Sequence, residues 1–283
     1  MADEGEENEE SLVQAFAAFP IEDTEKRPTC KRCKRPTSVC LCSYLPQHLL
    51  NIQTTVHILQ HPKEESRLLT TVPILEASLQ PEKCIIYREN RFHEPDYPEL
   101  YNVFSQPNSL LLYPGPQAAD LKTLDLKRYP KYNLIVLDGT WRQARNIFHC
   151  NPILNNIKQV VVEHHNVSEY VIRTQPTNQS LCTVEAVALA LEILEDNIHI
   201  YKRLINPLKA LCQFQLDHGA LVHCSKEEKE KELLKEMDRS TATTKKNRRR
   251  RKQKLKERQS NQLPTENGPE KQENNIEYEE KIS

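Results

Sequence analysis

The residues best equipped for chemistry fall in four short segments. Asp138-Gly139-Thr140-Trp141 offers a carboxylate, a hydroxyl and the only tryptophan of a 283-residue chain. Arg173 brings a cation within Tyr170-Val171-Ile172-Arg173-Thr174-Gln175-Pro176-Thr177-Asn178, and Thr183 and Glu185 add a hydroxyl and a second acid. Tyr113-Pro114-Gly115 supplies a turn whose glycine either simply bends the chain or leaves backbone amides open to a ligand. No Ser-His-Asp order with a nucleophile elbow accompanies these groups. They suit the binding and directing of a charged small molecule better than a covalent intermediate. A tryptophan face attracts cations, and a carboxylate beside it adds to that pull, so a sulfonium or an amine fits both. The plainer reading is that Asp138 or Thr140 caps a helix with Trp141 packed beneath it, and that Glu185 merely favours the positive end of a helix dipole.

A second constellation lies near the N-terminus. Cys30, Cys33, Cys40 and Cys42 follow a C-x2-C-x6-C-x-C pattern, four of nine cysteines within 13 residues. Short spacers let both sulfurs of each pair reach one ion, the usual construction of a tetrahedral four-cysteine zinc site. Lys31, Arg32, Lys34 and Arg35 surround these sulfurs and suit an anionic polymer such as RNA; the duller alternative is solvent-facing charge on a structural site.

Net charge is −1, but this hides two opposed ends. Residues 1–25 hold nine acids and no Lys or Arg, whereas 245–258 hold ten Lys or Arg and one acid. The basic run supports nuclear import or nucleic-acid binding, and the expected localisation is nucleus and cytoplasm. No apolar run is long enough to span a membrane. The acidic N-terminus lacks the basic and apolar regions of a signal peptide, which favours reduced thiols or metal ligands over disulfides. There is no G-x-G-x-x-G or Walker A pattern, so a standard nucleotide loop is not expected.

The elements that must position these groups alternate. Strands are expected at 54–60, 84–87, 109–113, 134–137 and 158–163. Helices are expected at 64–79, broken or kinked by Pro73, from about Arg142, at 183–195 with Thr183 as its cap, and at 200–216. Residues 91–107 read as irregular, and a short apolar patch, Leu12 to Phe19, as a helix able to dock. Alternating strands and helices imply an α/β fold with a mostly parallel sheet and helices on both faces. The loops 113–117, 138–143 and 173–185 then converge on one edge of the sheet, where functional loops of such folds lie. The expected organisation is an acidic N-terminus (1–27), a four-cysteine ribbon (28–46), a catalytic α/β domain (47–224) and a charged tail (225–283).

Asp138-Gly139-Thr140-Trp141-x-Gln143-Ala144 resembles the signature of the DTW-domain family of tRNA-uridine aminocarboxypropyltransferases. The four cysteines, Gln60-His61-Pro62, Tyr113-Pro114-Gly115, the Tyr170–Asn178 segment and Thr183-x-Glu185 stand in that family's order, over about residues 28–224. The family often has Ser-Thr where this chain has Cys182-Thr183. The resemblance implies a fold related to the knotted SPOUT methyltransferases and S-adenosylmethionine as donor. It implies transfer of the 3-amino-3-carboxypropyl group to N3 of a tRNA uridine, giving acp3U, in the D-loop for animal members, with a structural zinc ion. On this reading Asp138, Thr140, Trp141 and Glu185 form the catalytic set, with Asp138 as general base. Tyr113, Pro114, Gly115, Gln143, Arg173 and Thr183 hold the donor, and Lys31, Arg32, Lys34, Arg35 and Arg142 meet the tRNA. Glu185 is a candidate for the donor's amino group or a rival base. The competing readings are an RNA methyltransferase using the same donor and a non-enzymatic zinc-ribbon RNA-binding protein. Oligomeric state is left open.

Overall fold

The computed structural model describes residues 27–164, 167–177 and 180–260. The Leu12–Phe19 patch and Asn178 lie outside them. At the centre is a six-stranded sheet: β1 (Thr55–Gln60), β2 (Cys84–Arg88), β3 (Ser109–Leu112), β4 (Ala119–Asp120), β5 (Asn133–Asp138) and β6 (Lys158–Val161). Its order is β2-β1-β5-β3-β6-β4, and every pairing is parallel.

The apolar run that begins the central motif is β5, flanked by β1 and β3. Burial on both faces explains why it reads as continuous Leu-Ile-Val-Leu rather than as an alternation. Val56, Ile58, Leu110, Leu134 and Val136 enter one core, while Leu59, Leu111, Ile135 and Leu137 enter the other. The first core is covered by α2 (Val72–Ser78), α5 (Thr183–Leu194) and α6 (His199–Asp217); the second is covered by α3 (Pro98–Phe104) and α4 (Trp141–Cys150). Helices therefore lie on both faces, as the sequence pattern predicts.

Three local expectations change. The stretch 64–79 is two helices, a single turn α1 (Pro62–Glu65) and α2. Pro73 occupies the first turn of α2, where its missing N–H is no loss, and Leu68, placed by spacing on the apolar stripe, is 91% exposed. Residues 98–104 form α3, again with a proline in the first turn. The hydroxyl of Thr183 does not cap α5: Cys182 is the N-cap residue.

The four-cysteine segment packs onto the sheet domain. Cys33, Leu41 and Leu45 join the first core. Arg32 donates to the carbonyls of Pro46 (2.8 Å) and Ala77 (3.5 Å), Lys34 pairs with Glu76 at 3.5 Å, and Asn206 of α6 donates to the Tyr44 carbonyl at 2.9 Å. The chain divides into two units at Lys226/Glu227. In the second unit the helix that begins at Lys226 continues to Ser260, with Leu233, Leu234, Met237 and residues 245–254 exposed. No described helix is long and apolar enough to cross a membrane.

Candidate active site

From β1 the chain turns outward to β2, and β3 with its neighbours β6 and β4 extends the sheet the other way, with β5 inserted between. The crevice outside the carboxyl ends of β1, β5 and β3 is thus the switch point at which parallel sheets bind ligands. Gln60 and Asp138 are register partners at that edge.

Asp138 is 5% exposed and is held on both oxygens. Thr183 Oγ1 donates to Oδ1 at 2.5 Å, and Gln60 Nε2 donates to Oδ2 at 2.9 Å. Gln60 is oriented in turn by Arg88, whose Nε donates to its Oε1 at 3.1 Å. Two donors to one carboxylate fix its rotamer, and two of its four lone-pair sites remain for a ligand.

Thr140 and Gln143 complete a capping box at the start of α4. The Gln143 amide N–H donates to Thr140 Oγ1 at 3.3 Å, and Gln143 Oε1 accepts from the Thr140 amide at 2.7 Å. Gln143 Nε2 lies 3.2 Å from His61 Nδ1, which also accepts from the Lys63 amide at 3.1 Å. With both neighbours donating to Nδ1, the ring is neutral with its proton on Nε2. Burial, then the charges of Lys63 and Arg67, lower the pKa of His61 in the same sense. Gly139 has φ 156°, and a Cβ there would stand 3.0 Å from the Gln143 Cβ, so a larger residue is strained where α4 starts close to β5. Trp141, the first residue of α4, is 42% exposed rather than packed under its helix. Arg142, next to it, is exposed.

Tyr113 stacks on Phe148, with ring centroids 4.6 Å apart and planes 12° from parallel. Of the two readings of Gly115, the plain turn fits its own amide, whose N–H donates to the Tyr113 carbonyl at 2.8 Å. The Gln159 side chain fills the space beside it, and a Cβ at Gly115 would fall 1.7 Å from Gln159 Oε1 unless that flexible end moved.

Glu185 is also corrected. It is wholly buried and accepts from Ser168 Oγ (2.7 Å), the Glu169 amide (2.6 Å) and the Cys182 amide (2.8 Å). Three donors and no exposure make it a latch that pins the 168–170 loop to the start of α5, not a ligand group on the open edge. Tyr170, just beyond, donates to the Leu69 carbonyl at 2.5 Å, which brings the Arg173 loop against the turn after α1. Two side chains that composition alone does not single out therefore belong to the site: Gln60 and Arg88. Their signal is position, polar residues at the carboxyl ends of β1 and β2 beside the strand that ends in Asp138.

The four cysteine sulfurs lie within 4.8 Å of one another, with Cys30–Cys42 at 3.4 Å and Cys33–Cys40 at 3.6 Å. A tetrahedron with Zn–S near 2.3 Å has edges of about 3.8 Å, so the set fits a metal ion. A left-handed residue, Lys34 (φ 56°), closes the first loop, with the Lys34 amide donating to the Cys30 carbonyl at 2.8 Å. The amides of Cys33 and Arg32 pull the Cys30 thiol down to about 6, whereas burial pushes the neighbouring Cys42 up to about 12. Of the basic residues around the ribbon, Lys31 is exposed, and Arg32 and Lys34 are engaged in docking the ribbon on α2. Arg35 is half-buried at the wall of a cleft shared with Gln60, its Nε without a hydrogen-bond partner.

A parallel α/β sheet with a capped Asp-Gly-Thr-Trp turn at its switch point and a docked four-cysteine knuckle defines the class, and the chain belongs to the DTW domain family, whose model matches residues 27–216. The chain is 46% identical over 225 residues to tRNA-uridine aminocarboxypropyltransferase 2 of Macaca fascicularis, covering 79% of this chain and 75% of that protein. It has the same identity and coverage against the Mus musculus protein of that name, and 40% identity over 203 residues with the Drosophila melanogaster one (71% and 80% covered). No solved structure matches the chain.

Proposed function

We infer that the chain is an S-adenosylmethionine-dependent tRNA-uridine aminocarboxypropyltransferase, forming acp3U and releasing methylthioadenosine. The observation that carries this reading is Asp138: an oriented carboxylate at the switch-point crevice, with an exposed tryptophan three residues on. Membership in the DTW family and relatives that bear this activity in their names support it.

The chemistry asks little of the protein beyond one base and good positioning. Asp138 takes the N3 proton of uridine, N3 attacks the methylene carbon next to the sulfonium sulfur, and the C–S bond breaks with its electron pair passing to sulfur. The positive charge on sulfur is neutralised in this step, so the leaving group needs no proton. Trp141, exposed at the start of α4, stacks on the uracil or faces the sulfonium. Tyr113, Pro114 and Gly115 line the adenosine side, and Gln143 and Thr183 act by fixing α4 and the base. The four cysteines hold a zinc ion that orders the ribbon and takes no part in transfer. Lys31, Arg35, Arg142 and the basic run 245–258 meet tRNA phosphates, the D-loop uridine being the target. A SPOUT-like knot and residence in nucleus and cytoplasm complete the reading.

The test is nucleoside mass spectrometry of tRNA incubated with the protein and S-adenosylmethionine. The expected products are acp3U and methylthioadenosine. Methyluridine with S-adenosylhomocysteine would instead mark a methyltransferase, and unmodified tRNA a binding protein.

A further inference from the structure

Glu64 is a buried charge next to the candidate base that the mechanism above leaves without a task. It lies in the single turn that follows β1, its amide donating to the His61 carbonyl at 2.9 Å. The residue is 3% exposed, yet it borders a cleft of about 680 Å³ that also takes in Gln60, Arg67 and Arg88. Gln60 is the side chain that donates to Asp138, so the cleft reaches the immediate neighbour of the base.

The charges around Glu64 form a pattern. Arg67 Nη1 lies 2.8 Å from Oε1, and the arginine is 38% exposed while its partner is 4% exposed. Burial raises the Glu64 pKa; Arg67 lowers it, Asp138 raises it and Arg173 lowers it, so both other groups lie within electrostatic reach. The Tyr170–Leu69 hydrogen bond brings the loop of Arg173 to the turn of Arg67. Among the described residues Arg173 makes no ion pair of its own.

A carboxylate taken from water must stay paired. Here its partner is a half-exposed arginine that can swing away, provided another cation arrives. A ligand ammonium can make that exchange without leaving the acid alone, and the freed guanidinium then needs an anion. An α-amino-acid end, with ammonium and carboxylate on one carbon, supplies both at the required separation. We propose that Glu64, flanked by Arg67 and Arg173, is the subsite for the zwitterionic α-amino-acid end of the donor. Glu64 accepts from the ammonium, and the two arginines receive the carboxylate. This rests on the donor reading above and gives Glu64, which borders the cleft, the task that Glu185, already taken up by three donors, does not offer.

Binding of two ligands to the full chain, by titration calorimetry, tests it. S-adenosylmethionine carries the α-amino-acid arm; methylthioadenosine has the same adenosine and sulfur without it. The wild type binds both. Glu64→Gln weakens S-adenosylmethionine by roughly 10- to 100-fold, the value of a charge-assisted hydrogen bond, and leaves methylthioadenosine unchanged. Glu64→Asp recovers part of the loss, and Arg173→Gln, on a separate loop, shows the same selective weakening should Glu64→Gln fail to fold. Parallel weakening of both ligands, or of neither, overturns the subsite and leaves the donor reading standing. A wild type that binds neither ligand overturns the donor reading and the subsite with it.

Discussion

Replacing Asp138 by Asn separates the role of base from that of structural acceptor. The carboxylate takes one hydrogen bond on each oxygen, from Thr183 Oγ1 and Gln60 Nε2. Arg88 fixes the amide orientation of Gln60 by donating to its Oε1, so the Nε2 donor must still find an acceptor. An Asn at 138 meets this by presenting its oxygen to Gln60 and its NH2 to Thr183, whose hydroxyl rotates to accept. Both bonds survive as neutral ones. Two charge-assisted bonds of about 1.5–3 kcal/mol become neutral bonds of about 0.5–1.5 kcal/mol. The smaller cost of burying a neutral group offsets part of this, leaving a net loss of about 1–2 kcal/mol. The chemical step fares worse, because an amide cannot take the N3 proton. Loss of a general base costs about 10²- to 10⁴-fold, or roughly 3–5 kcal/mol of barrier. The assay is single-turnover formation of acp3U on excess enzyme, with tRNA affinity and the urea midpoint measured on the same preparation. Unchanged tRNA binding, a small shift in midpoint and a rate lowered a hundredfold or more are expected. Full activity with unchanged tRNA affinity would show that Asp138 is not the base. A loss of unfolding free energy of more than about 3 kcal/mol would refute the geometry of the two surviving bonds.

Three further outcomes follow from single sites. Glu185→Gln must turn an NH2 toward the amide of either Glu169 or Cys182, neither of which can accept, so urea unfolding should register a loss of about 2–4 kcal/mol; a loss below 1 kcal/mol would contradict the latch. His57 sits in the sheet with its pKa lowered to about 4 by burial, below its unfolded value near 6.5, so its contribution is complete above pH 6.5 and is lost as pH falls toward 4. The loss is about 3 kcal/mol at most, and melting curves of His57→Leu between pH 7.5 and 4.5 should lack that slope. Cys30→Ser removes one of four thiolates, and elemental analysis should find less than one metal per chain together with a lowered melting temperature; equal stability and no metal in the wild type would remove the metal centre.

The central architecture was legible because its signals are dense. Leu134–Leu137 is apolar on successive residues because both faces of β5 are buried, and α5 carries a clean stripe. The losses have physical causes. β4 is two residues long, too short for any period. Pro73 reads as a breaker and 91–107 as irregular, whereas Pro73 and Pro98 each sit in the first turn of a helix. At the site, Asp138, Thr140 and Thr183 were legible as polar residues at a strand end or helix start. Glu185 reads as an open-edge group because nothing in its own segment shows that residues 168–170 fold back onto it. Glu64 carries no signal of its own because a Glu near a strand end usually faces water, and its burial is a fact of tertiary structure.

The buried acids also bear on which carbon of the donor reacts. A sulfonium offers a methyl carbon and the methylene carbon of the amino-acid arm, and attack goes to whichever lies in line with the nucleophile. A site that anchors only the adenosine leaves that choice open. An anchor for the amino-acid end placed within electrostatic reach of the base draws the methylene toward the same end of the crevice as Asp138. The separation of Glu64 from Asp138 therefore acts on product identity as well as affinity. On that argument, Glu64→Gln should not only slow aminocarboxypropyl transfer but raise the fraction of methylated uridine among the residual products. Nucleoside mass spectrometry reads that ratio directly, and an unchanged ratio would confine Glu64 to binding.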